Sequence, residues 1–173
     1  MRTLLKISLT VLLLTAAFAE EHRVPASNPQ FDALKSLSGD WTGRYEGKVG
    51  GTASYRVVSG GSAIILDMSN PGEASNMITM IHPDGQRTVA THYCSMGNQP
   101  RMVANSSADT KRIEFKFKDV TNDDGKSGYM RELTIVLIDK DHHDQIWTWQ
   151  DGKGKQEVAT FHYERNSAPA QGQ

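Results

Sequence analysis

From Gly39 onward the chain is a run of short alternating segments separated by glycine, asparagine, aspartate and proline turns. Arg112 to Lys118 shows the pattern most clearly: Ile113, Phe115 and Phe117 take one face, and Glu114, Lys116 and Lys118 the other. Strands are expected at 41–48, 53–58, 63–68, 76–82, 88–95, 99–105, 112–118, 129–139, 145–150 and 157–165. Turns are expected at Gly50-Gly51, Gly60-Gly61, Pro83-Asp84-Gly85, Gly97-Asn98, His142-His143-Asp144 and Asp151-Gly152-Lys153-Gly154. No segment is long enough for a helical crossover, so neighbouring strands must run antiparallel. About ten strands in one sheet relieve their edges by curling and closing. The fold class is therefore all-β: an antiparallel up-and-down barrel, with a two-sheet sandwich of the same strand order as the alternative.

Before the strands, Phe31, Leu34 and Leu37 share one face of a short helix over 30–38, stopped by Gly39. Such a helix suits the capping of one barrel end. Residues 1–19 read as a signal peptide. Arg2 and Lys6 precede an apolar run from Ile7 to Phe18, and Ala17-Phe18-Ala19 is a small-x-small cleavage site. The run is shorter than the ~20 residues a bilayer span needs. Residues 20–29 read as a flexible lead-in, 30–165 as the barrel domain, and 166–173 as a disordered tail. An exported protein, periplasmic or secreted, follows, with no membrane insertion after cleavage.

A single cysteine, Cys94, permits no internal disulfide, so stability must come from packing. The net charge of −1 provides no footprint for nucleic acid.

In a closed barrel the first and last strands pair. Trp41, in Gly39-Asp40-Trp41, and Arg165 can then stack across the seam as a cation–π pair. This Gly-x-Trp and late Arg resemble the end plug of lipocalins and their calycin relatives, which implies a structural role for Gly39, Trp41 and Arg165. A broader set resembles an uncharacterised family of bacterial exported domains of unknown function. It begins with Phe31-Asp32-x-Leu34-Lys35-x-Leu37-x-Gly39-x-Trp41-x-Gly43 and Gly60-Gly61-Ser62-Ala63. It continues with Met77-Ile78-Thr79-Met80, Thr91-His92-Tyr93-Cys94 and Gly97-Asn98-Gln99-Pro100-Arg101-Met102, and ends with Phe115-x-Phe117 and Asp139-x-Asp141-His142. The resemblance covers most of 31–165 and implies a calycin-type barrel, with no activity attached. Asp67 departs from it, standing where a glutamate is expected.

The stretch from His92 to Arg101 carries the densest chemistry. Period two puts Thr88, Ala90, His92 and Cys94 on one face, suited to a lumen. Gln99 and Arg101 arrive on the paired strand. With Asn98 at the turn, these residues could orient a ligand in an apolar pocket, Arg101 taking a carboxylate or phosphate. They could equally form a buried network that only fixes the hairpin. A Cys94 nucleophile activated by His92 has no third group to orient the histidine. Trp147 and Trp149 share one face and either line a pocket or pack in a core. His142-His143-Asp144 has metal-ligand residues, but consecutive side chains point apart, so a solvated turn is expected.

Nitrobindins are haem-binding calycin barrels with an iron-ligating histidine near the C-terminus. The resemblance makes His162 a candidate, with His92 a second. Alternation places Ala159, Phe161, Tyr163 and Arg165 inward, so only a register slip would turn His162 in. The leading expectation is an exported barrel binding a small apolar or lipid-like ligand, without a cofactor. Haem-dependent chemistry on reactive nitrogen or oxygen species, and an envelope module without a ligand, are the alternatives.

Overall fold

The computed structural model describes residues 28–72 and 75–167. The expected signal peptide, the expected lead-in up to residue 27 and the expected tail from 168 lie outside the described residues. Asn28 caps the first helix, accepting a hydrogen bond from the Phe31 N–H at 3.0 Å, and Pro29 takes the first helical position, where no N–H is needed. The helix α1 spans Pro29–Lys35, so Asn28 and Pro29 belong to it rather than to the lead-in. Phe31, Leu34 and Leu37 are buried against the barrel. Complete burial of Leu34 alone contributes ~2 kcal/mol.

Ten strands follow. They are β1 (Gly39–Tyr45), β2 (Lys48–Val58), β3 (Ala63–Ser69), β4 (Met77–Asp84) and β5 (Arg87–Tyr93), then β6 (Gln99–Ala104), β7 (Arg112–Thr121), β8 (Tyr129–Leu137), β9 (His142–Gln150) and β10 (Gln156–Arg165). Each pairs antiparallel with its sequence neighbours, and β10 returns to β1, which closes the barrel and rules out the sandwich. Ile64 and Leu66 of β3, Ile113 and Phe115 of β7, and Leu133 and Ile135 of β8 fill the interior.

Two expected turns are strand instead. Gly50 and Gly51 lie inside β2, and the chain reverses at Glu46-Gly47. The Gly pair serves close approach: a Cβ on Gly51 would stand 2.4 Å from the Ser69 carbonyl oxygen, and one on Gly50 2.8 Å from the Tyr45 nitrogen. His142 to Asp144 open β9 rather than forming a turn, because His143 is fully buried in the lumen.

The two ends of the barrel differ. Over one lies α1. Asn28 Nδ2 donates to the Arg87 carbonyl at 2.9 Å, and Gln30 Nε2 donates to the Asp109 carbonyl at 3.2 Å, so the helix is tied to the start of β5 and to the β6–β7 connection. Asn166, expected in the tail, is fixed at this end by its N–H to the Asp40 carbonyl. At the other end the wall is incomplete. The β1–β10 register covers only Trp41–Arg44 against 162–165, and Gln156 to Phe161 pair with β9 alone.

Candidate functional site

A chain of hydrogen bonds runs through the lumen, and its polarity is fixed by a group that can only donate. The Trp147 indole N–H donates to Gln145 Oε1 at 2.8 Å. The amide nitrogen of Gln145 must therefore face Tyr55, and it donates to the Tyr55 hydroxyl at 2.7 Å. The Tyr55 proton then goes to His143 Nε2, 3.2 Å away, which puts the imidazole proton on Nδ1. His143 lies stacked on Tyr163 with ring centres 4.9 Å apart and edge-on to Trp41 at 4.4 Å. Burial, with help from the Arg165 charge, lowers the His143 pKa to about 3, so it stays neutral. Burial pushes the Tyr55 hydroxyl well up, and Tyr163 adds to the shift.

Sequence reasoning missed Tyr55, His143 and Gln145. The signal for Gln145 was present, since it shares period two with Trp147 and Trp149.

The His92–Arg101 hairpin divides between inside and outside. His92 is fully buried. Its Nδ1 is 2.8 Å from Thr79 Oγ1, and its ring lies 5.1 Å from that of Trp147. Its Nε2 has no partner, and burial lowers its pKa to about 4. Cys94 is partly buried beside the core, where the Met96 N–H reaches its sulfur at 3.5 Å. No hydrogen bond joins it to His92 among the described residues. Asn98 is buried and ties the hairpin to the β7–β8 connection, its Nδ2 donating to the Gly128 carbonyl at 2.9 Å. Gln99 bonds Thr121 and the Gly97 carbonyl at the surface.

Arg101 is the main correction. It lies on the outer wall and forms a two-pronged pair with Asp119 at 2.5 Å on both arms. Its β5 partner is the outward Thr91, while the next residue, Met102, pairs with the inward Ala90. The guanidinium therefore cannot join His92 in the lumen.

A cavity of about 320 Å³ opens at the uncovered end. Met68, Met77, Met130, Trp147, Trp149, Ala159, Phe161 and Tyr163 wall it, and Tyr45, Asn70, Glu157 and Val158 complete its lining. Two glycines seat the rings. A Cβ on Gly128 would stand 2.2 Å from a Trp149 ring carbon, and one on Gly43 would stand 2.7 Å from Tyr163. Trp147 and Trp149 thus face the cavity together. Because the Trp147 N–H is committed to Gln145, Trp147 has only its ring to offer the space. The volume falls within the range of clefts that can hold small molecules.

The residues present do not fit haem in this cavity. His162 faces outward, is largely exposed and bonds Asp144 Oδ1 at 2.7 Å, with the β9–β10 register unslipped around it. His92 is inside but is not part of the cavity lining. Among the described residues, no group of three or more His, Cys, Asp or Glu side chains converges as a metal site. His142 and Asp144 point outward on either side of the inward His143.

No family model matches the chain, and no curated protein matches its sequence. Among solved structures it is similar to the crystal structure of Rv2717c from M. tuberculosis. That match has 11% identity and a TM-score of 0.59, and it covers 80% of this chain and 98% of the other. At this identity the likeness shows a shared barrel fold and nothing about chemistry.

Proposed function

We propose that the protein binds a small, largely apolar molecule in the cavity at the open end of the barrel, and that it does so as an exported protein. One observation carries the reading: a cavity walled by thioethers and aromatic rings, with Trp149 and Tyr163 held in place by Gly128 and Gly43. A preformed wall of this kind lowers the ordering cost of binding. The methionines supply an adaptable surface. Arg101 has no part in it, being paired with Asp119 outside. His92 supports the wall from behind through its contact with Trp147. Export rests on the pattern of residues 1–19.

Native mass spectrometry of the protein isolated from the exported fraction of its host tests the reading. The expected result is one small molecule retained per chain. A bare mass, both as isolated and after incubation with an extract of host small molecules and lipids, would leave an envelope module without a ligand as the better account.

A further inference from the structure

We infer that the cavity selects a planar aromatic ligand that is neutral or singly positive, and disfavours one that carries a carboxylate, phosphate or sulfonate. This inference rests on the ligand-site reading above and sharpens it.

Among the described residues, Glu157 is the only charged one in the lining, which holds no lysine or arginine. Among the described residues, the lumen provides no substitute cation. His92 and His143 stand behind the lining residues Trp147 and Tyr163 and are kept neutral by burial, and Tyr55, Gln145 and Trp147 bond one another. Arg165, at the far end, is held by backbone carbonyls and by Trp41. Arg101 is on the outer wall with Asp119. An anion entering the cavity would lose water, gain no counter-charge and approach a carboxylate.

Trp147, Trp149, Phe161, Tyr163 and Tyr45 contribute rings to one small space. Flat rings stack on such walls, and a cation gains from their electron-rich faces. Glu157 reinforces a positive charge at the rim. Its present partner, Lys155 at 2.7 Å, is an exposed side chain outside the lining. Exposed pairs of this kind are weak, so a ligand cation can displace it.

Three tricyclic probes of nearly equal shape separate the possibilities by isothermal titration calorimetry at pH 8: acridine (neutral), 9-aminoacridine (cation) and acridine-9-carboxylate (anion). Acridine and 9-aminoacridine are expected to bind one per chain, and the carboxylate at least about tenfold more weakly. Glu157→Gln is expected to weaken 9-aminoacridine about threefold relative to acridine. Glu157 is exposed on the rim, so the variant keeps the fold. If the carboxylate binds as tightly as the amine, or more tightly and through Lys155 as judged by Lys155→Ala, the charge selection is overturned and the cavity reading stands. If none of the three binds, both are overturned.

Discussion

The guanidinium of Arg165 lies 4.1 Å from the centre of the Trp41 ring, across the seam where the last strand meets the first. The same group donates to the carbonyls of Ser38 at 2.7 Å, Ser36 at 2.9 Å and Lys140 at 2.9 Å. One side chain thus joins the end of α1, the β8–β9 connection and the seam. Gly39 makes room for it, since a Cβ there would stand 3.0 Å from the guanidinium. Arg165→Ala is expected to cost about 3 kcal/mol, measured by urea unfolding. Arg165→Lys should recover less than half of that, because an ammonium lacks the planar fork.

Tyr55 is the middle of the lumen chain, between Gln145 and His143. Tyr55→Phe leaves the Gln145 N–H and His143 Nε2 without their partner, at about 3 kcal/mol. Adding Gln145→Leu to Tyr55→Phe should cost less than the two single changes summed, because it also removes a buried orphan donor. Strict additivity in urea unfolding would show that the chain does not act as a unit.

Acid should loosen the barrel before its carboxylates titrate. Folding lowers His92 to about 4 and His143 to about 3, from an ordinary 6.5. Both are neutral in the fold and free to charge when the chain unfolds. The stability they confer is complete above pH 6.5. It is lost as pH falls towards about 4 and then 3, because there the unfolded state binds more protons. The two together set a slope approaching about 3 kcal/mol per pH unit in the middle of that window. His92→Gln, which can still bond Thr79, is expected to halve the slope between pH 5.5 and 4.5 in urea unfolding. Asp119, Asp124 and Asp139 are held below 3.8, so their loss comes at lower pH and can be told apart.

The strand count and ring closure were legible because period two and short turns leave few other arrangements. The Trp41–Arg165 seam was legible because closure itself forces the two together. The Gly50-Gly51 error had a physical cause: a glycine needed for close approach inside a strand looks the same in sequence as one needed for a turn. Arg101 was misplaced although β6 carried the answer, since Met102 and Ala104 inward require Arg101 and Val103 outward. His143 was hidden by its neighbours. His142 and Asp144 make the triplet look solvated, and only its alternation with Gln145 and Trp147 points it inward. The cavity itself was not legible, because it depends on where β1 and β10 stop pairing.

If the cavity is the ligand site, a small molecule enters the space between Trp147, Trp149 and Ala159. A fluorescence titration with 1-aminoanthracene, neutral at pH 8, tests it most directly on three chains: the wild type, Ala159→Trp to fill the cavity, and Arg101→Ala on the outer wall. Saturation at one probe per chain is expected for the wild type and Arg101→Ala, and no binding by a folded Ala159→Trp. Equal binding by Ala159→Trp, or binding abolished in Arg101→Ala, would contradict a ligand site in this cavity.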